Sequence, residues 1–352
     1  MKIAQIAPLC EAVPPKLYGG TERVVASLCD ALCDLGHEVV LFAAADARTK
    51  AKLLAGRKQA LRLDPSTLKS DYAAHLHMLH EVRRLAGSFD VLHFHTELLH
   101  LALFEGLAHR TVTTLHGRLD IEDLHGALGC WPKFGLVSIS DSQRSPIPSA
   151  HWLATVKHGL APDLYRPPQC PSGSYLAFLG RISPEKGADR AIRLARQAGI
   201  PLKIAAKVDN ADSAYFQAVV KPLLDDPLVE FIGEIGDADK SEFLGNALAL
   251  LFPIQWPEPF GLVMIESLAC ATPVIAWNCG SVPEIIDHGV TGFIVESQEQ
   301  ALQAIAQARH MDRARIRSVF EKRFTARAMA EAYVKVYEHM VRPQREYVRL
   351  VS

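Results

Sequence analysis

Two carboxylates eight positions apart, Glu258 and Glu266, stand in the stretch WPEPFGLVMIESLAC at residues 256–270, where the other side chains from Phe260 onward are apolar or small. A helix apolar on every side belongs in an interior, and a lone carboxylate there must be protonated at some cost or held by a specific partner. Glu258 precedes Pro259, which pushes it towards an extended conformation, and proline suits the first helical position. The spacing therefore predicts a helix beginning at Pro259, with the N–H groups of Phe260, Gly261 and Leu262 as open donors at its mouth. Glu266 would lie about two turns deeper, roughly 12 Å along the axis. A polyhydroxylated ligand could be gripped by Glu258 and the N–H groups at one end and by Glu266 at the other.

Cations and glycines supply the second kind of chemistry. The apolar run SYLAFLG leads into RISPEKGADRAIRLA, where Ser183 and Pro184 read as cap and first turn of a helix. Arg181 and Lys186 then gather at the helix end that disfavours cations, so an anion is expected between them; the alternative is a pair of surface cations answered by Glu185 and Asp189. Earlier, PLCEAVPPKLYGGTERVV puts Gly19 and Gly20 ahead of a helix with Thr21 as its cap. Glycines there let backbone N–H groups approach an anion, although a simple turn explains them equally well. HFHTE sets His93 and His95 on one strand face, a spacing that metal-dependent hydrolases use, and His116 in TLHGRLD is a third candidate ligand. Core or cleft histidines are the other reading. The DAD at 237–239 imitates a carboxylate metal motif and reads as a helix cap.

The elements that position these residues follow from length and pattern. A chain of 352 residues exceeds one comfortable core, and two domains are expected. Hydrophobic residues make up 49% and the net charge is -1, so no overall basic field points to nucleic acid. Nine Lys or Arg against three Asp or Glu between Arg48 and Arg84 give one basic stretch, read as an exposed helix and loop or as a face for an anionic partner. Seven cysteines without a CxxC predict a reduced, cytoplasmic protein. MKIAQIAP reads as a first strand, and no apolar run reaches the roughly 18 residues of a membrane span, so any membrane contact would be peripheral.

Apolar runs alternate with helical periods throughout, the signature of parallel sheets with crossover helices. Strands are predicted near 2–7, 37–43, 90–95, 111–116 and 136–140, then near 175–180, 202–207, 229–233, 249–253, 273–277 and 292–295. The proline-rich YRPPQCPSGS interrupts both periods and marks the boundary. The expected domains are 1–168 and 169–335, with 336–352 returning to the first. Ligands of such sheets bind beyond the carboxyl ends of the strands, so the loops after strands are the place to look.

The motif EPFGLVMIE, with its two glutamates, resembles that of the retaining glycosyltransferases of family 4. YGGTERVVASLCDALCDLGHEV is similar to their glycine-loop helix, GRISPEKGADRAI to their diphosphate-binding segment, and ATPVIAWNCGSVPEIIDHGVTGFIV to the stretch after the paired glutamates. The resemblance covers essentially the whole chain. It implies an α/β GT-B fold, two Rossmann-like domains facing across a cleft, with an N-terminal acceptor domain and a C-terminal donor domain. It further implies a nucleoside-diphosphate sugar, most plausibly UDP-glucose, as donor, a hydroxyl compound as acceptor and no divalent metal.

Residue by residue, the resemblance implies that Glu266 binds ribose hydroxyls and that Glu258, Phe260, Gly261 and Leu262 hold the sugar. Arg181 and Lys186 would neutralise the departing diphosphate, Gly19 and Gly20 would close on the phosphates, and Ile232 would join the donor contacts. His116 matches a histidine near donor sugar and acceptor, which with Arg181, Lys186 and Glu258 makes the expected catalytic set. Ala206, where many relatives have glycine, and the short chain are departures from the pattern. Competing readings are a metal-dependent hydrolase built on His93, His95 and His116, a nucleotide-sugar epimerase and a non-catalytic sugar-binding protein on the same fold. On the transferase reading, Glu266→Ala should weaken nucleotide binding and leave the fold intact.

Overall fold

The computed structural model describes residues 1–17 and 19–351, with side chains described through Val341. It comprises two compact units, Met1–Gly159 with Ala326–Ser352, and Leu160–Thr325.

The first unit is built on a seven-stranded sheet of order β3-β2-β1-β4-β5-β6-β7, parallel at every pairing. Its strands are β1 (Lys2–Ile6), β2 (Glu38–Ala44), β3 (Lys52–Arg57), β4 (Val91–Phe94), β5 (Thr111–Thr114), β6 (Gly135–Ser138) and β7 (Trp152–Thr155). The central strands are buried on both faces, as a sheet sandwiched between helices requires, although β4 carries His93 and β5 three threonines among the buried positions. Chain order reverses direction across the sheet between β1 and β4. The loops after β1, β4 and β5 thus open at the switch point, where such sheets hold ligands.

The second unit repeats the plan with six strands in the order β10-β9-β8-β11-β12-β13. These are β8 (Tyr175–Arg181), β9 (Leu202–Lys207), β10 (Val229–Gly233), β11 (Ala247–Phe252), β12 (Val274–Trp277) and β13 (Gly292–Val295). Here the switch lies between β8 and β11, so the segments 182–187 and 253–261 emerge side by side.

Two strands escaped the sequence reading. Both β3 and β7 are edge strands whose residues are mostly half-buried, so neither shows a clean alternation of buried and exposed positions. The basic stretch resolves into β3 and the helix Asp71–Leu85, whose buried face is His75, Met78, Leu79 and Val82. The division between units also departs from the proline-rich stretch. Tyr165 is fully buried in the second unit, and Arg317 donates to the carbonyls of Tyr165 (2.9 Å) and Pro162 (2.8 Å), which ties this segment to that unit. The C-terminal helix Ala326–Val351 belongs to the first unit, where Tyr333 and Tyr337 are buried. Among the described residues, no helix is long and apolar enough to cross a membrane.

Candidate functional site

In the second unit, two loops at the switch point are clipped together. Arg190, on the helix Ala188–Ala198, donates from Nε and Nη2 to the Pro253 carbonyl (2.8 and 2.6 Å), from Nη1 to Gln255 Oε1 (2.9 Å) and from Nη2 to the Pro184 carbonyl (3.3 Å). The N–H of Gln255 donates to the Glu185 carbonyl at 2.9 Å. The segment after β8 is thereby held against the segment after β11, which brings Lys186 to Glu258. Their ammonium and carboxylate form an ion pair, and the same Glu258 oxygen accepts from Trp256 Nε1 at 2.9 Å. Lys186 Nζ also stands 4.6 Å from the centre of the Trp256 ring. An ammonium has three donors, so a carboxylate on one of them and an aromatic face beside it orient the group with capacity to spare for an anion.

Neither helix start falls where the prolines put it. The helix expected from Ser183 begins at Ala188, after Gly187 in the left-handed conformation; the one expected from Pro259 is Leu262–Ala269, capped by Gly261, also left-handed. Consequently Lys186 sits in a turn and Arg181 ends β8, so neither rides the first turn of a helix. Arg181 faces carboxylates of its own: Glu185 at 2.8 Å, Asp212 at 3.4 Å and Asp209 at 3.9 Å. Phe260 is buried, its carbonyl accepting from Ser281 Oγ at 2.9 Å, while Leu262 opens the helix and Ile232, 40% exposed, lies near the end of β10.

Glu266 is only 2% exposed and has a protein partner that the sequence did not reveal. Lys240, on the helix Asp237–Gly245, meets Glu266 Oε1 at 2.8 Å, and the Tyr165 hydroxyl lies 3.2 Å from the same oxygen. That hydroxyl donates to Asp237 Oδ1 at 2.6 Å. Asp237 is therefore the first residue of its helix with its carboxylate turned to Tyr165; the cap is Gly236. Lys240 carried no signal in sequence, because a cation 26 residues away on another helix is joined to Glu266 only by the fold.

In the first unit, Gly19 caps the helix Gly20–Asp34, and Thr21 lies inside the first turn instead of serving as the cap. Buried Arg23 reaches back to the carbonyls of Gly19 (3.3 Å) and Leu17 (3.1 Å) and holds the glycine loop from behind. His116 follows β5. Its N–H and that of Gly117 donate to Glu97 Oε1 (2.9 and 3.2 Å), its Nε2 lies 2.9 Å from His95 Nδ1, and its ring stacks at 5.2 Å on His158. Burial pushes the His116 pKa down to about 3.

The histidines do not assemble as a metal centre. His93 is occupied at both ring nitrogens, Nδ1 by the Tyr337 hydroxyl and Nε2 by Thr114 Oγ1, each at 2.7 Å. His95 is likewise occupied, by His116 at Nδ1 and by Gln5 Oε1 at Nε2, 2.8 Å away. Both rings are thus engaged by protein groups, and among the described residues these histidines form no metal-ligating cluster, which does not favour the hydrolase reading. A different cluster, Cys10, Asp71 and His75, brings three ligand types within 4.8 Å. There too the imidazole is engaged, accepting from the Leu9 N–H at Nε2 (3.0 Å) and facing Asp71 Oδ1 at Nδ1 (2.8 Å).

Comparison with known proteins matches both units. The family described as glycosyl transferases group 1 matches residues 171–323, and glycosyltransferase family 4 matches residues 18–156. A D-inositol 3-phosphate glycosyltransferase of Saccharomonospora viridis is 29% identical over 46% of this chain and 42% of its own length. The protein of the same name from Actinosynnema mirum is 33% identical over 43% and 37%. The matched region thus spans less than half the length of either relative. A phosphatidyl-myo-inositol mannosyltransferase of Mycobacterium leprae is 25% identical over 87% of this chain and 86% of its own.

Among solved structures, AviGT4, a glycosyltransferase involved in avilamycin A biosynthesis, superposes with a TM-score of 0.73 at 24% identity, covering 97% of this chain and 98% of its own. Anabaena HepE in complex with UDP and glucose gives 0.74 at 17% identity, covering 96% and 100%. Both carry the same two-sheet α/β plan from end to end. With one matched family on each unit and this fold shared across nearly the full length, the chain belongs to the family 4-like, group 1 glycosyltransferases of GT-B fold.

Proposed function

We propose that the protein is a retaining hexosyltransferase that moves glucose from UDP-glucose to a hydroxyl acceptor, without need of a divalent metal. The observation that carries this reading is the Lys186–Glu258 pair at the switch point of the second unit, which sets an oriented cation beside a carboxylate suited to sugar hydroxyls. Family membership favours transfer over epimerisation, and the UDP and glucose named for HepE support the choice of donor.

In this reading Glu258 accepts from the donor's sugar hydroxyls, with the backbone of Phe260, Gly261 and Leu262 beside it, and Ile232 contributes a donor contact. Glu266, fixed by Lys240, accepts from the ribose. Lys186 and Arg181 meet the charge that develops on the β-phosphate as the bond from anomeric carbon to phosphate oxygen breaks. The acceptor oxygen bonds to that carbon on the same face, and its proton passes to the departing phosphate. Gly19 and Gly20 are assigned to the phosphates, and His116 to the sugar and acceptor.

Isothermal titration with uridine, UMP and UDP tests the phosphate assignment. Lys186→Ala and Arg181→Ala should leave uridine affinity unchanged and weaken UDP at least tenfold, as loss of a charge-assisted bond worth about 1.5–3 kcal/mol implies. UDP affinity at the wild-type level in both variants would remove the assignment. Proton NMR of UDP-glucose turnover in EDTA should show the α anomer of the product first; an initial β product would exclude retention.

A further inference from the structure

We infer that Gln5 and His95 are positioning residues that hold His116 in one tautomer, with its proton on Nε2 and a bare lone pair on Nδ1, so that His116 meets its substrate as a hydrogen-bond acceptor. The inference rests on the assignment of His116 to the sugar and acceptor, and deepens it.

Seven side chains of the first unit form one hydrogen-bonded chain. From the interior outward it runs from Tyr333 through Thr114 (2.8 Å), His93 (2.7 Å), Tyr337 (2.7 Å), Gln5 (3.1 Å) and His95 (2.8 Å) to His116 (2.9 Å). Gln5, His93, Thr114 and Tyr337 are completely buried, so their polar groups are answered by one another and by their protein neighbours. The polarity of the chain is set at Gln5. Its Nε2 donates to the Tyr337 hydroxyl, which turns Oε1 towards His95 Nε2. A carbonyl oxygen only accepts, so His95 Nε2 must carry the proton.

Burial pushes the pKa of His95 far down, which keeps the ring neutral, and its remaining nitrogen, Nδ1, is therefore an acceptor. That acceptor lies 2.9 Å from His116 Nε2, which must then be the donor. Of the six ring nitrogens of His93, His95 and His116, five are engaged within the chain. The sixth, His116 Nδ1, is buried and has no hydrogen-bond partner among the described residues. The ring is further fixed by the stack on His158, and its backbone by Glu97. A sugar or acceptor hydroxyl is the group that can donate to such an atom, since buried polar atoms are otherwise paired.

The test has two readouts on the full chain. Long-range nitrogen–proton NMR of protein labelled with 15N-histidine, recorded at neutral pH without substrate, should show the proton of His116 on Nε2, with the signal identified by its loss in His116→Gln. A proton on Nδ1, or averaging between the two, would overturn the inference whether or not the protein proves to be a transferase. The second readout is UDP release from UDP-glucose with water as acceptor. Gln5→Met keeps the volume and removes the acceptor, so kcat should fall at least tenfold with KM within twofold. Gln5→Glu, held neutral by burial, offers a carbonyl to His95 and a hydroxyl to Tyr337, and should recover kcat to within threefold. Equal loss in both variants, or none in either, would reduce the chain to a structural role. Should Gln5→Met fail to fold, the wild-type spectrum and Gln5→Glu decide.

Discussion

The Glu266–Lys240 pair sets the energetic terms at the scale of single residues. Both side chains are under 10% exposed, and removing one partner of a buried pair costs about 3–5 kcal/mol when the other charge is left alone. Lys240 Nζ also lies 3.6 Å from Asp237 Oδ1, so Glu266→Ala leaves the ammonium one carboxylate and should be destabilised by less than that in a urea titration, still contrary to the sequence-based expectation of an intact fold. Replacing both partners with apolar side chains of similar size, Glu266→Leu with Lys240→Met, should restore most of that stability, because the desolvation of two charges is no longer incurred. The double variant then isolates function. If it is stable and binds UDP as the wild type does, Glu266 is structural and its assignment to the ribose falls. From the sequence this carboxylate must either be protonated or be held by a partner, since it stands alone in an apolar helix. The sequence could not show which partner, because Tyr165 and the helix that carries Asp237 and Lys240 are joined to Glu266 only by the fold.

Elements place these residues, and glycine decides where the elements begin. Pro184 and Pro259 predict two helix starts, whereas both helices begin later, behind left-handed Gly187 and Gly261. Proline at the first turn is a preference; a residue with positive φ cannot belong to a right-handed helix, so the glycine prevails. Most strands were legible as buried stretches and the edge β10 by its alternating exposure, whereas the half-exposed edges β3 and β7 were not. The loops after the legible strands were therefore located, while the ties between them were not: Arg190 and Ser281 act through backbone carbonyls, which no motif records.

One such tie yields a sharp prediction. Gly280 has φ +58°, and a Cβ there would lie 2.3 Å from the N and 2.5 Å from the O of Glu258. Gly280→Ala should push the segment carrying Glu258 away, break the 3.0 Å bond from the Ser281 N–H to the Glu258 carbonyl, and lower turnover of UDP-glucose. Gly289→Ala is the control, with φ +77° and no atom within 4 Å of its Cβ. It incurs the backbone strain alone, about 1–2 kcal/mol, and should keep its activity. Equal activity in the two variants would show that the close approach to Glu258 has no functional weight.

At the scale of the molecule, the two units differ in how they should respond to acid. His93, His95, His100, His116 and His158 all belong to the first unit, and burial lowers the pKa of each, to about 3 for His100 and His116. In the unfolded chain these rings titrate near 6.5. Below that value the unfolded state binds protons that the folded state refuses, so the folded first unit loses stability as pH falls from about 6.5 towards 3, and above 6.5 the contribution is complete. Each ring contributes up to about 1.4 kcal/mol per pH unit over that window. Two carboxylates act in the opposite sense, Glu22 and Glu97, whose pKa values burial raises. Against five histidines they offset only part of the loss. Hydrogen exchange, corrected for its intrinsic pH dependence, should show β4 and β5 losing protection between pH 7 and pH 5.5 while β8 and β11 keep theirs. Parallel loss in both units, or unchanged protection in the first, would mean that the histidine chain accepts protons without opening the fold around it.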